Sequence, residues 1–458
     1  MSSRVSSTGY RNLRALGDNA RFARHNHAMG VASGGFGGLA QNFLQPEMIL
    51  GGLIYAVTGS AVWAAAVPVV NKLVVMGPQL LVGSLLEHLP RRRPAFIITT
   101  VVRVGLLVAL VGSIWRLALG VTTGGLALFF AVYAAFCVSS AFGHLIFLDM
   151  TGRLIPAHRL GSFLGTRNML GGAGSVVAGF LIIQPILAVE DWSAATPYAI
   201  LAAIGTLLVA IDMGIWCNSR ERPGVSAKQR TSFPQAIRRG FGWLRTDRNY
   251  RCYLGARVAF RINYVGLALF IPYGTERLGY ERAGAGGLAV LGGILVGVLK
   301  LSNVVGSYLW GRVVDRRGSR ITMVRSAGLL LGAVALALLA PELPATFALH
   351  VPGLRQAVTL PLVTYVLGLG MLGMSISGTM IGGWRYLITH APPHRRPSYV
   401  GFPNTLTTPL TLLPMAAAWF AETFGMFWVF VFVGMGATLG LASVWLMDSD
   451  DPTAEAAG

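Results

Sequence analysis

Long blocks of apolar residues alternate along the chain with short polar connections. A helix needs about 20 mostly apolar residues to cross the hydrocarbon core of a bilayer, and the blocks reach that length. They predict two sets of six membrane spans. The first set lies near residues 27–57, 61–86, 95–117, 123–149, 161–188 and 195–218, and the second near 251–275, 284–309, 321–341, 357–389, 398–421 and 424–447. The pattern predicts an all-α integral membrane protein, with twelve transmembrane helices as two pseudo-symmetric six-helix bundles.

The longest polar stretch, residues 219–250, separates the two sets of spans. It carries eight basic residues, which are Arg220, Arg222, Lys228, Arg230, Arg238, Arg239, Arg245 and Arg248. This stretch predicts a cytoplasmic linker with a helical part around Pro234–Leu244. The predicted order is a cytoplasmic tail, an N-terminal bundle, the linker, a C-terminal bundle and a second cytoplasmic tail, at residues 1–26, 27–218, 219–250, 251–447 and 448–458.

Composition supports a membrane protein, because 54% of the residues are hydrophobic, 12% are charged and the mean hydropathy is +0.60. Soluble domains carry about 25% charged residues, so soluble, disordered and fibrous classes are excluded. The net charge of +19 comes from basic residues clustered in the tail, the linker and every second connection. By the positive-inside rule, this clustering predicts that both termini are cytoplasmic. The cysteines Cys137, Cys217 and Cys252 form no disulfide framework or metal motif.

Two short patterns occur once in each half of the chain. The first recurs after 228 residues, as Lys72, Gly83, Glu87 and Arg92 and then as Lys300, Gly311, Asp315 and Arg320. The second recurs after 236 residues, as Arg159, Ser162, Phe163, Gly165, Asn168 and Leu170 and then as Arg395, Ser398, Tyr399, Gly401, Asn404 and Leu406. Duplication of a six-span unit is the simplest account of both repeats.

With these features the chain resembles the major facilitator superfamily of transporters. The most specific element is Gly311–Arg320, which is similar to the family's loop signature of a glycine, then Asp-Arg, a glycine and a basic residue between spans eight and nine. The first-half copy, Gly83–Arg92, has Glu87 in place of the aspartate and Pro90 in place of the usual glycine. The resemblance implies two bundles that work by alternating access.

The acids and arginines of the two signatures are candidates for a conformational latch. An acid at the cytoplasmic end of a span can pair with arginines and cap a neighbouring helix, and breaking such pairs biases one state over another. The candidate latch residues are Gly83, Glu87, Arg92, Gly311, Asp315, Arg316, Gly318 and Arg320. The alternative is that these charges only end the helices and set the topology.

Charged residues deep inside the spans are candidates for a substrate or ion site, because charge at membrane depth is costly and usually functional. Eight lie at least six positions inside a predicted span, namely Glu47, Lys72, Arg103, Arg167, Asp212, Arg257, Arg261 and Lys300. The four arginines lie toward cytoplasmic ends, where they can snorkel to the surface. Lys72 is about 16 Å and 21 Å from the two ends of its span, which is beyond its reach. The binding candidates are Asn42, Gln45, Glu47, Lys72, Asp212 and Lys300.

Two questions about these deep charges stay open. Glu47 is interpreted either as a proton-carrying carboxylate or as a fixed partner of Lys72, and Asp212 is the second candidate for protonation. Six of the deep charges are basic and two are acidic, which predicts a positive cavity and an anionic substrate. The alternative is that each lysine is neutralised and the substrate is neutral or apolar.

The sequence therefore predicts a secondary active transporter of a small molecule, with H+ as the candidate coupling ion. It contains no Walker-type phosphate loop and no catalytic motif, so we expect no enzyme, cofactor, metal site or nucleic-acid partner. We expect a monomer in the bilayer of the bacterial inner membrane. The alternatives are a non-transporting scaffold or assembly factor with the same fold, and an efflux pump for an amphipathic neutral compound.

Overall fold

The computed structural model describes residues 22–120, 123–189, 191–224, 231–262, 270, 272–274, 276–278, 284–344, 348–349 and 358–448. Most of the two predicted tails and part of the predicted linker lie outside the described residues. Within the described ranges the chain is almost entirely helical.

The first half of the chain forms helices that match the predicted spans. They are α1 (Ala23–Phe43), α2 (Gly51–Thr58), α3 (Ala61–Met76), α4 (Gln79–Leu86), α5 (Arg93–Ala118), α6 (Thr123–Leu154), α7 (Leu160–Ala178), α8 (Gln184–Leu187) and α9 (Thr196–Cys217). Two π-helical turns, Pro46–Leu50 and Gly179–Ile183, and a 3-10 turn, Ala157–Arg159, join successive pieces. The linker forms α10 (Phe233–Thr246), which contains the helical part predicted from the sequence.

The second half contains longer helices and one short hairpin. Its helices are α11 (Arg248–Phe260), α12 (Gly284–Leu339), α13 (Leu360–His390), α14 (Arg396–Thr407), α15 (Leu413–Phe424) and α16 (Met426–Trp445), with 3-10 turns at Ala340–Glu342 and Thr408–Leu412. The strands β1 (Ala348–Leu349) and β2 (Val358–Thr359) pair antiparallel. The hairpin has no counterpart in the hydropathy pattern, because two-residue strands leave no periodic signal.

The predicted fold class is confirmed. Eight helical segments of the described chain are long and apolar enough to cross a membrane. Each of the twelve predicted spans overlaps a helix, although several spans are divided into two pieces. Proline accounts for part of this division, because it lacks the N–H that a continuous helix requires. Pro46 opens the first π-turn, and Gly77 and Pro78 separate α3 from α4.

The chain divides into two compact units. One contains residues 1–242 and 386–408, and the other contains residues 243–385 and 409–458. In the first unit, α1 packs against α7 and α9, and α4 packs against α14. In the second unit, a buried cluster of aliphatic and aromatic side chains forms the core, where the rings of Tyr273 and Phe430 have their centroids 4.5 Å apart. The bounds predicted from the sequence for the two bundles stay a prediction.

Gly318 separates two helices inside α12. Its φ of 78° and ψ of 173° are non-helical, and only glycine adopts this combination readily. The signature glycine therefore allows the chain to turn through a single residue. The first half has Pro90 at the matching position, and there six residues, 87–92, separate α4 from α5.

We expect Gly318→Ala to destabilise the protein by about 1–3 kcal/mol, because a Cβ at this φ and ψ is strained. Gly328→Ala is the matched control on the same helix, since a Cβ there meets nothing within 4 Å. The measurement is thermal unfolding of the purified proteins in one detergent. Equal unfolding temperatures for the two variants would contradict the assigned strain at Gly318.

Candidate functional site

Glu47 and Lys72 form an ion pair between the first π-turn and α3. Glu47 Oε1 lies 3.3 Å from Lys72 Nζ. The two side chains remain 46% and 40% exposed, and the structure gives neither of them another side-chain hydrogen bond or ion pair. A charged pair inside a membrane span needs water on its open side, because hydrocarbon cannot solvate it.

The other polar residues predicted near Glu47 support the backbone instead. Asn42 Nδ2 donates a hydrogen bond to the carbonyl of Ser175 on α7, at 2.9 Å. The carbonyl of Gln45 accepts from the amides of Ile49 and Leu50, at 3.0 and 3.1 Å, which closes the π-turn. Asn42 therefore links α1 to α7, and the assignment of Asn42 and Gln45 to a binding site stays a prediction.

Lys300 occupies the position in α12 that matches Lys72 in sequence, but its environment differs. Its side chain is exposed, and it makes no ion pair or side-chain hydrogen bond in the part of the chain that the structure describes. Gly297 and Gly293, about one and two turns away on the same side, would each have nothing within 4 Å of an added Cβ. Lys300 therefore lies beside open space on α12, with no compensating partner among the described residues.

Asp212 lies in a second charged cluster that joins α1, α7 and α9. Ser33 Oγ donates to Asp212 Oδ1 at 2.5 Å, and Arg167 Nη2 lies 3.7 Å from the same oxygen. Arg167 Nη1 also donates to Ser33 Oγ and to the carbonyl of Gly30, each at 2.9 Å. Phe147 covers the guanidinium, with Arg167 Cζ 4.3 Å from the ring centroid. Arg167 is paired with Asp212 inside the first unit, so its side chain does not have to reach the membrane surface for its charge to be compensated.

The glycines of α1 make room for this cluster. A Cβ at Gly34 would lie 1.8 Å from Arg167 Cγ, and a Cβ at Gly37 would lie 2.6 Å from Asp212 Oδ2. Gly38 faces Gly171 so closely that a Cβ would lie 2.2 Å from the Gly171 Cα. The small residues of α1 therefore let two charged side chains and a neighbouring helix approach its backbone.

A third cluster surrounds Asp149 at the predicted cytoplasmic end of α6. Arg92 Nε donates to Asp149 Oδ2 at 2.6 Å and Arg153 Nε donates to the same oxygen at 3.0 Å. Arg396, on α14, places Nη1 3.9 Å from Asp149 Oδ1. The carboxylate of Glu221 accepts from the backbone N–H of Arg92, the residue that precedes α5. One fully buried aspartate therefore holds arginines from both halves of the sequence.

Glu87, the acid of the first-half signature, pairs with the linker helix. Arg239 Nη1 lies 3.2 Å from Glu87 Oε2, and Thr231 Oγ1 donates to the same oxygen at 3.4 Å. Arg92 pairs with Asp149, so the two charged residues of this signature belong to separate clusters. Burial lowers the pKa of His394, which interacts electrostatically with Glu87, so its imidazole is neutral at pH 7 and leaves Arg239 as the cationic partner.

Gly83 permits a close contact between α4 and α14. A Cβ at Gly83 would lie 2.8 Å from the carbonyl oxygen of Pro397, and a Cβ at Gly401 would lie 2.6 Å from the carbonyl oxygen of Gln79. Thr405 Oγ1 donates to the carbonyl of Gly77 at 2.9 Å. The predicted second and eleventh spans thus touch through their backbones.

The second-half signature is arranged differently. Gly311 is buried within α12, Asp315 is half-buried, and Arg316 is exposed. Arg320 Nη2 donates to the carbonyl of Trp445 at the end of α16, at 2.7 Å. The assignment of Asp315 and its arginines to a latch stays a prediction.

The sequence model of the Major Facilitator Superfamily matches residues 73–410. The chain belongs to this superfamily. No curated protein sequence matches it. Solved structures confirm the fold at low sequence identity. A bacterial homologue of the iron transporter ferroportin in an outward-facing state superposes with a TM-score of 0.70 at 14% identity, covering 92% of this chain and 98% of the other.

Two further structures are of transporters named for different molecules. The Escherichia coli fucose:proton symporter FucP has a TM-score of 0.65 at 12% identity, covering 92% of this chain and 98% of its own. The human organic anion transporter MFSD10 has a TM-score of 0.63 at 14% identity, covering 93% and 99%. Superfamily membership makes the chain a multi-pass membrane protein of a transporter family. The structurally similar transporters are named for different molecules, so the substrate class has to be inferred from this chain's own residues.

Sequence reasoning missed several residues of these clusters. Ser33 and Thr231 gave no signal, because a single hydroxyl in a helix or linker is common. Asp149 is only the third candidate for protonation in the sequence, because it lies at the edge of a span, and the excess of nearby arginines does not identify it as their partner. Arg396 was visible as a basic residue, but only the fold shows that it lies near Asp149.

We expect Asp212→Asn to destabilise the protein by about 3–5 kcal/mol, because it leaves Arg167 unpaired at membrane depth. The double variant Asp212→Asn/Arg167→Gln should lose less than the sum of the two single changes, because it removes both charges. Asp191→Asn, at an exposed acid after α8, is the control. Thermal unfolding in detergent checks the cycle, and additive losses would contradict the pairing.

Proposed function

We propose that the chain is a secondary active transporter of a small anion that works by alternating access. The observation that carries the substrate class is Lys300, an ammonium deep in a membrane helix with no anionic partner among the described residues. Such a charge is costly unless water or a bound anion compensates it. A substrate carboxylate or similar anion supplies that partner.

The helical position of Lys300 supports an aqueous environment. Ile294, Leu301, Val305 and Leu309 of α12 are exposed and follow one another along a single apolar stripe. At about 100° per residue, Lys300 is on average about 135° away from this stripe. The stripe suits contact with lipid, so the Lys300 side chain points to a different environment, the same side as Gly293 and Gly297.

The neutral-substrate alternative requires that both deep lysines be neutralised. The Glu47–Lys72 ion pair meets this requirement for Lys72. Lys300 does not meet it, which is why we favour an anion. A non-transporting scaffold has no use for a half-exposed ion pair and an unpaired lysine at this depth.

Alternating access needs contacts that form in one state and break in another. We infer that the Asp149 cluster and the contact of α4 with α14 hold the cytoplasmic ends of the spans together in one such state. Three arginines converge on the Asp149 carboxylate, so its charge is the common element of the contact. The glycines at 83 and 401 let the backbones of α4 and α14 approach closely, and no covalent bond joins the two helices at this contact.

We further propose that the chain is a monomer in the inner membrane of a bacterium, with both termini in the cytoplasm. H+ is the proposed coupling ion.

Lys300→Met should lower affinity for the anion by about 10–100-fold, because it removes one charge contact. Lys300→Arg keeps the charge and is the matched control. The substrate is first identified by a ligand-stabilisation screen on the purified protein, and uptake into proteoliposomes is then measured with and without a pH gradient. A cationic substrate, or wild-type affinity in Lys300→Met, would contradict the proposal.

Asp149→Asn should reduce transport by at least about tenfold while leaving the protein inserted, because the arginines lose their shared carboxylate. Glu87→Gln should have a smaller effect, since it breaks a contact with the linker helix alone. Both are measured as initial uptake rates per inserted protein. Wild-type uptake by Asp149→Asn would show that the cluster does not gate transport.

A further inference from the structure

We propose that the exposed face of the linker helix α10 binds the headgroups of anionic phospholipids at the cytoplasmic surface of the membrane. The inference goes beyond the proposed transport and does not depend on the transported molecule. From the proposed function it takes only the position of the linker on the cytoplasmic side. The ligand is a phosphodiester anion that is carried by a lipid.

One face of α10 is fixed to the ends of two membrane helices. Arg239 pairs with Glu87, the residue that follows α4, at 3.2 Å. Ala236 and Gly240 are buried, and a Cβ at Gly240 would overlap the ring of Phe402 on α14. Because a span leaves the hydrocarbon core near its last residue, the contact with the end of α4 places α10 at the depth of the headgroups.

The opposite face of α10 carries an exposed stripe, formed by Pro234, Arg238, Phe241 and Arg245. At about 100° per residue, their spacing of four, three and four residues keeps them within about 60° of one another around the helix. The ring of Phe241 meets that of Phe402 with centroids 5.6 Å apart, and it stays 48% exposed. Basic groups beside an aromatic ring are what a helix at the membrane interface presents to lipid.

The arginines of the exposed stripe have no internal counter-charge. Neither Arg238 nor Arg245 makes an ion pair or a side-chain hydrogen bond within the part of the chain that the structure describes. The predicted linker, residues 219–250, contains eight basic residues and only two acids. Both acids cap helices, Glu221 at the start of α5 and Asp247 at the start of α11. The two exposed arginines are therefore available to an external anion.

A phospholipid fits both the charged and the aromatic part of the exposed stripe. Its phosphodiester accepts hydrogen bonds from guanidinium groups, whose paired N–H donors match phosphate oxygens. Its acyl chains can cover the exposed ring of Phe241, which a free phosphate ion leaves in water. The cytoplasmic leaflet also has a negative surface potential that attracts basic segments close to the membrane. An anionic lipid therefore matches this surface better than a soluble anion does.

The experiment uses the full chain in a neutral detergent, with short-chain phosphatidylglycerol and short-chain phosphatidylcholine as probes. Native mass spectrometry measures the fraction of protein that binds each lipid. Each arginine near a headgroup contributes about fivefold in affinity, so the wild-type protein should prefer phosphatidylglycerol by about 25-fold. Arg238→Gln/Arg245→Gln should lose most of this preference. Arg238→Lys/Arg245→Lys keeps both charges and should retain most of it.

Arg24→Gln/Arg159→Gln is the matched control, because it removes two exposed arginines outside α10 and should keep the wild-type preference. Inorganic phosphate, added as a competitor, should need a concentration at least about tenfold above the dissociation constant of the lipid, since it leaves Phe241 uncovered.

Three results would overturn the assignment of α10 to anionic lipid. They are equal binding of the two lipids by the wild-type protein, a preference that persists in Arg238→Gln/Arg245→Gln, and an equal loss in the control variant. Competition by phosphate at the dissociation constant of the lipid also overturns it, because any phosphate anion is then the ligand. None of these results bears on the proposed transport.

Discussion

The cost of charge inside a bilayer is the constraint on which this structure depends. Five of the deep charges are either in an ion pair or beside open space, and these are Glu47, Lys72, Arg167, Asp212 and Lys300. Asp212 and Arg167 are an example of pairing, and glycines in α1 leave room for both side chains against its backbone. Lys300 shows the second, in which a cation is left for water or a ligand. The half-exposed pair of Glu47 and Lys72 combines the two.

The same constraint separates the charges by function. Groups that hold helices together have several partners and little exposure, as at Asp149 and Asp212. Groups that bind a transported molecule must be able to lose a partner at low cost, so they have one contact or none. This difference can be measured at each residue, whereas the fold is shared by transporters named for iron, fucose and organic anions.

Most of the fold could be predicted from the sequence because apolar blocks of membrane length are unambiguous. The spans, the duplicated signature and the superfamily resemblance all followed from local patterns. The partners of the charges did not, because ion pairs join residues far apart in the chain. The first-half signature suggested that Glu87 and Arg92 act together, yet Glu87 meets Arg239 of the linker and Arg92 meets Asp149. Periodicity carries no information on which helices meet at such a cluster.

The most direct test of this explanation is how fast the deep lysines react with a water-soluble reagent. The chain contains only three, Lys72, Lys228 and Lys300, so a water-soluble amine-acylating reagent reports each site separately by mass spectrometry. In protein reconstituted into vesicles, Lys300 should be acylated at a rate within about tenfold of Lys228 in the polar linker. Lys72 should react more slowly and become faster in Glu47→Gln, because the contact with the Glu47 carboxylate engages its amine. An unreactive Lys300 beside a reactive Lys228 would contradict the claim that this charge faces a water-filled transport path.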